Sequence, residues 1–163
     1  MNKLVLVRVD DRMIHGQVAV GWTRFVGGTY ILVVDDEVAQ DNTQKMLLKM
    51  STPVGVRSSV VSVSEAVTQL MSGKLKNEKL IVIVRGPNAL LGLIEGGIPL
   101  PKVNIGNVRV TEERERLTKE VAASAEEIEE WRKLDETGVV LEALWLPGGS
   151  ATNFNQIIRS YKK

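Results

Sequence analysis

Four short runs rich in valine, isoleucine and leucine, each stopped abruptly by charge or by glycine and proline, constrain this chain most. Leu4 to Val9 ends on Asp10-Asp11, Tyr30 to Val34 on Asp35-Asp36, Lys79 to Arg85 on Gly86-Pro87, and Val139 to Leu146 on Pro147-Gly148-Gly149. Apolar runs of this length, with little alternation, read as strands buried on both faces. Gly55 to Val61, Val103 to Ile105 and Leu117 to Ala122 are weaker candidates.

Helical spacing fills the intervals. Val18, Trp22, Phe25 and Val26 share one helical face. Met46, Leu47 and Met50 mark a second helix, and Ala66, Val67, Leu70 and Met71 a third, with Ser64 as its expected N-cap. Pro87 opens a fourth through Leu90, Leu93 and Ile94. Ser124 and Glu127 form a capping box ahead of Ile128, Trp131 and Leu134, and Gly138 stops that helix. Phe154, Ile157, Ile158 and Tyr161 suggest a C-terminal packing helix. Strand-helix alternation predicts an α/β fold: a single open, mostly parallel β-sheet flanked by helices on both faces. A length of 163 residues, 44% of them hydrophobic, suits one domain over residues 1–163.

Composition removes several functions. With no cysteine, there is no disulfide, no thiolate nucleophile and no cysteine zinc site. The formal charge of +1, from 21 basic and 20 acidic residues, argues against nucleic acid as a partner. No apolar run reaches the roughly 18 residues needed to span a bilayer. The start, Met1 to Val7, lacks the core and cleavage site of a signal peptide. A soluble, cytoplasmic protein is the expectation.

Open parallel sheets bind ligands outside the carboxyl ends of their strands. The first such loop reads Asp10-Asp11-Arg12-Met13-Ile14-His15-Gly16-Gln17 and holds the chain's only histidine. It follows a strand and opens a helix, whose unpaired N–H groups and dipole favour an anion. Gly16 leaves the backbone accessible, and Arg12 offers a guanidinium fork matched to phosphate oxygens. Asp10 or Asp11 could accept a hydrogen bond from the imidazole nitrogen that does not react. The second carboxylate would repel a phosphate, so only one is expected to face inward. An imidazole here can serve as a relay nucleophile for a phosphoryl group.

Blander readings stand beside this one. A lone histidine near a helix start is commonly a capping or surface residue. Arg12 beside two aspartates is commonly a solvated ion cluster worth ~0–1 kcal/mol. One histidine without cysteine makes a metal site unattractive, and no Gly-rich nucleotide fingerprint or nucleophile elbow is present. No metal or cofactor is therefore expected. Asp35-Asp36-Glu37 and Glu112 to Lys119 read as solvated charge, and Trp22, Trp131 and Trp145 as core.

The stretch Val7 to Val18, VRVDDRMIHGQV, resembles the signature of the IIB components of the mannose/fructose/sorbose family of bacterial sugar phosphotransferase systems. Pro53 to Val56, Asn104-Ile105-Gly106 and Glu127 through Pro147 resemble that family's later landmarks. Met13 stands where leucine is commoner, and Asn107 where a second glycine is frequent.

The resemblance implies an open α/β sheet and a phosphotransferase role. His15 would accept phosphate, through Nδ1 in that family, from a phosphohistidine of a IIA component. It would pass the phosphate to a sugar entering through the membrane IIC and IID components. It further implies that Arg12 stabilises the transferred group and that Asp10 orders the imidazole or its loop. Ile14, Gly16 and Gln17 are the expected phosphate-binding positions. Peripheral association with the inner face of the membrane, through the permease, follows from the same resemblance. A homo-oligomer is left open. The alternative is a regulatory IIB-like binding module that senses transport state without transfer.

Overall fold

The computed structural model describes residues 3–161. The chain runs β1 (Lys3–Asp10), α1 (Gly16–Val26), β2 (Tyr30–Val34), a 3-10 turn (Val38–Gln40), α2 (Asn42–Ser51), β3 (Arg57–Val61) and α3 (Val63–Ser72). It continues through β4 (Lys79–Val84), α4 (Pro87–Glu95), β5 (Val103–Asn107), β6 (Glu115–Arg116), β7 (Ala122–Ala123) and α5 (Ala125–Glu136). β8 (Leu141–Ala143), β9 (Thr152–Asn153) and α6 (Phe154–Ser160) complete it.

Seven strands form one sheet in the order β3-β2-β4-β1-β5-β8-β9. Every neighbouring pair is parallel except β8 with β9. This is the open, mostly parallel α/β sheet expected from the sequence, and helices cover both faces. Alternation along β2 shows why its run is continuously apolar. Ile31 and Val33 face the layer containing Ala19, Trp22 and Leu48, whereas Leu32 and Val34 face the layer built from α3, α4, α5 and α6. In β4, everything from Leu80 to Val84 is buried.

Local chemistry fixes the helix ends. Ser124 and Glu127 make the expected capping box, Pro87 occupies the first turn of α4, and Gly138 takes a left-handed φ of 87° just beyond α5. The cap of α3 is Ser62, not Ser64: its Oγ accepts from the Glu65 N–H at 3.1 Å while Glu65 returns a bond to the Ser62 N–H. That is the serine-x-x-glutamate spacing, two residues before the expected position.

Other expectations fail for identifiable reasons. Leu117 to Ala122 is not one strand, and only Ala122, the first residue of β7, lies in one. Thr118 to Glu120 form the turn of a short antiparallel β6–β7 hairpin, with Thr118 Oγ1 accepting from the Val121 N–H. The Val139 to Leu146 run gives only the three residues of β8, and Trp145, beyond its end, is half-exposed rather than core. Trp22 and Trp131 are buried as expected. On α2, Met46, Leu47 and Met50 are all exposed and Leu48 alone is buried. This helix lies over the β3 margin of the sheet, where little apolar surface remains to be covered. Phe25 is exposed too, resting its ring edge-on against Trp22.

Candidate functional site

β1 lies inside the sheet between β4 and β5, so the loop leaving its carboxyl end opens at the middle of the sheet edge. Period-two alternation puts Arg8 and Asp10 on the same face of the strand, towards α1. Both are buried, at 2% and 0% exposure. Asp10 organises the loop from beneath. Its Oδ1 accepts from the Arg12 N–H at 3.0 Å, and its carbonyl accepts from the Met13 N–H at 3.0 Å. Met13 closes the turn with a left-handed φ of 64°.

Asp10 Oδ2 lies 3.0 Å from His15 Nε2. The imidazole is therefore held through Nε2, and Nδ1 makes no hydrogen bond among the described residues. His15 is the N-cap residue of α1 by backbone geometry, but its side chain makes no capping bond, so the capping role considered above is not the one adopted. The first intrahelical bond runs from the Ala19 N–H to the His15 carbonyl at 3.2 Å. The N–H groups of Gly16, Gln17 and Val18 thus precede the helix's own acceptors. Gly16 is required for its φ of 44°, not for space, since a Cβ there would meet no protein atom within 4 Å. Ile14 buries its side chain in the core under α1, leaving only its main chain for the loop surface.

The two aspartates diverge. Asp11 accepts from the Asn107 Nδ2 at 3.2 Å, the Arg109 N–H at 2.9 Å and Arg109 Nε at 3.0 Å. Asn107, in place of a second glycine, thereby ties Asp11 to the β5 side, while Asp10 alone meets the imidazole. Arg12 is exposed and makes no side-chain hydrogen bond or ion pair among the described residues, so the blander alternative, a local ion cluster with Asp10 and Asp11, does not form.

A cleft of about 870 Å³ beside the loop is lined by Asp35, Arg85, Arg109, Arg114 and Glu127 among others. The arginines that line the cleft at this edge are paired with carboxylates. Arg85 pairs with Asp35 at 2.6 and 2.9 Å, and Arg114 with Glu127 at 2.8 and 3.0 Å. The Asp35 cluster and the Glu112 to Lys119 segment, read from sequence as solvated charge, thus each supply a partly buried ion pair. Among the described residues no group of three or more His, Asp or Glu side chains is placed to hold a metal ion.

The chain as a whole is similar to known proteins. The sequence profile described as PTS system sorbose subfamily IIB component matches residues 4–163. The chain belongs to the sorbose-type IIB family of the phosphotransferase system. It is 34% identical to the fructose-specific EIIB component of Bacillus subtilis over 163 residues, covering all of both chains. It is 35% identical to the mannose-specific EIIAB component of Escherichia coli K12 over 84% of this chain and 42% of that one. The crystal structure of the IIBSor domain of the sorbose permease from Klebsiella pneumoniae superposes with a TM-score of 0.93 at 28% identity, covering 98% of each chain.

Beneath this IIB loop lies a polar group that the sequence reading did not single out. Arg8 Nη2 reaches Asp10 Oδ2 at 3.3 Å, and Nη1 donates to Asn104 Oδ1 and, at 3.1 Å, to the Leu144 carbonyl. The guanidinium lies 5.2 Å from the Trp22 ring centroid. Burial lowers the arginine's pKa, and the Asp10 charge and hydrogen bond oppose that shift. The signal was present: a lone arginine inside an apolar strand either ends the burial or is buried with a partner.

Proposed function

We propose that this IIB chain is a phosphoryl carrier, taking phosphate on His15 from a phosphohistidine of a IIA component and giving it to a sugar presented by membrane IIC and IID components. The observation that carries the reading is the Asp10–His15 contact at 3.0 Å. With Nε2–H donated to Asp10, the Nδ1 lone pair can attack phosphorus in line. The donor's N–P bond breaks as the His15 Nδ1–P bond forms, and the Nε2 proton stays where it is. The carboxylate offsets the positive charge that the ring would otherwise acquire.

Arg12, exposed and uncommitted, supplies two donors to the equatorial oxygens in flight. The N–H groups at the start of α1, from Gly16 and Gln17, receive the phosphoryl oxygens, with the main chain at Ile14 shaping the approach. The mannose-specific relative, an EIIAB component, carries an A and a B component in its name, which supports a IIA protein as donor. Among the described residues no helix is long and apolar enough to cross a membrane, in keeping with peripheral docking on a permease.

The test is incubation with phosphoenolpyruvate and the general and IIA phosphocarriers, followed by peptide mass analysis. One acid-labile, base-stable phosphate on the His15 peptide is expected, and His15→Ala should abolish labelling while leaving the fold intact. Acid-stable phosphate on serine or threonine, or no incorporation from a competent donor, would refute the carrier role. A folded wild-type protein that binds the permease but never labels would favour the regulatory alternative.

A further inference from the structure

We infer that Arg8 is a positioning residue for the phosphoacceptor. It is a buried guanidinium that locks the Asp10 carboxylate and, through it, the tautomer and orientation of the His15 ring. The inference deepens the carrier reading and rests on it for its consequence in transfer, though not for its structural content.

Three observations converge. First, Asp10 Oδ2 is shared, at 3.3 Å from Arg8 Nη2 and 3.0 Å from His15 Nε2, so one oxygen couples the guanidinium to the imidazole. Asp10 is fully buried. A carboxylate without water must find its partners in the protein, and Arg8 is its cationic one. Second, Arg8 is itself immobilised from the far side. Arg8 and Asn104 are direct cross-strand neighbours in the β1–β5 register. The Asn104 side chain accepts from Nη1 through Oδ1 and donates through Nδ2 to the Leu144 carbonyl at 3.1 Å. The same carbonyl accepts from Arg8 at 3.1 Å. Above the guanidinium sits Trp22, whose Nε1 donates to the Trp145 carbonyl at 2.8 Å. The network runs from Leu144, just beyond β8, through β5 and β1 to the imidazole.

Third, space is reserved for it. A Cβ on Gly106 would overlap the Arg8 guanidinium. Glycine is needed there to admit the arginine, since its backbone does not occupy the left-handed region. Three separated positions, Arg8, Asn104 and Gly106, are thereby explained by one task. A metal-bound histidine is oriented in the same manner by partners behind its other nitrogen. Here the fixed nitrogen is Nε2, and Arg8 stands one bond further back.

The chain's single histidine makes the inference directly measurable. Ring 15N chemical shifts and long-range couplings of 15N-histidine-labelled protein report the His15 tautomer without any partner protein. The wild type should show the neutral ring protonated on Nε2. Gly106→Ala, which displaces the guanidinium without changing charge, should mix the two tautomers, as should Arg8→Met. Asn104→Ala, the mildest member, should do so partially. Phosphorylation by the IIA donor should slow by about 10- to 100-fold in Gly106→Ala, with the residual label still on His15. Arg8→Lys should recover part of the tautomer bias but less of the rate.

A wild-type ring protonated chiefly on Nδ1 overturns the inference. So does an unchanged tautomer in the folded members of the series, or a rate loss that tracks only the unfolded fraction. If Arg8→Met fails to fold, Gly106→Ala and Asn104→Ala decide. Failure of wild-type labelling with the expected tautomer pattern intact would instead strike the carrier reading and leave the positioning network standing.

Discussion

Arg12 and Arg8 are four residues apart and chemically identical, yet their surroundings give them opposite work. Arg12 is exposed and has no side-chain partner among the described residues; Arg8 is buried and has three polar ones. On the carrier reading, a free guanidinium beside the start of α1 loses little by turning to a phosphoryl group. Arg12→Ala should therefore slow phosphoryl exchange with the IIA partner by about 30- to 1000-fold, the rate equivalent of a ~2–4 kcal/mol clamp. Arg12→Lys should fall in between, and Tm should barely move, since an exposed charge contributes at most ~1 kcal/mol. Quench-flow transfer between purified partners, with thermal melts in parallel, checks both halves. Arg8→Met should behave in the opposite sense for stability. It strands Asp10 without its cation, at a cost of about 3–5 kcal/mol visible in urea titration. His15, Arg12 and Asp10 were legible as a chemical group because all lie within six residues. Arg8, Asn104 and Gly106 were not legible as one, because strand pairing rather than sequence proximity brings them together.

At the scale of elements, what the sequence made visible was chemistry local enough to be written within one turn. The Ser124–Glu127 box is such a case, and α5 depends on it. Ser124→Ala removes the acceptor for the Glu127 N–H and should cost about 1 kcal/mol, lowering Tm by a few degrees. Glu127 carries a second consequence. Burial opposes its ionisation, but the Arg114 guanidinium and the Ser124 N–H outweigh burial and hold its carboxyl below the usual range. A depressed folded-state pKa means that the unfolded chain binds the proton first. The stabilisation is thus complete above the ordinary glutamate value of about 4.3 and is lost as pH falls through the folded value. Melting curves between about pH 6 and pH 3 should show a steeper acid loss in the wild type than in Glu127→Gln. By contrast, the exposure of Met46, Leu47 and Met50 could not be read locally. Their spacing marks a helix correctly, but which face is covered depends on where α2 lands, at the thin margin beside β3.

For the whole molecule, the decisive feature is that the two faces of the sheet are unequally covered. Among the described residues, the core cluster beneath α3 to α6 contains 26 buried side chains, whereas that beneath α1 and α2 contains 11. Apolar burial contributes roughly in proportion to area, so the two layers should differ in resistance to local opening. The His15 loop opens into α1, on the lighter layer, while Arg8, Asp10 and Asn104 extend from inner strands common to both. On the carrier reading, the side that would meet two successive partners is thereby the more yielding one, while the backbone that carries the ring's anchor belongs to strands held from both faces. Native-state hydrogen exchange should show this order. Amides of α2 and the outer turns of α1 should open at lower free energy than those of α4 and α5, and β1 and β4 should approach the global value. Trp131→Ala, which empties the heavier layer against Phe154, should cost about 3–5 kcal/mol and lower protection throughout. Leu48→Ala on the lighter layer should lower it mainly in α2 and the neighbouring β3. Equal protection of α2 and α5, or a global response to Leu48→Ala, would mean that the two layers open as one cooperative unit and that the asymmetry has no dynamic consequence.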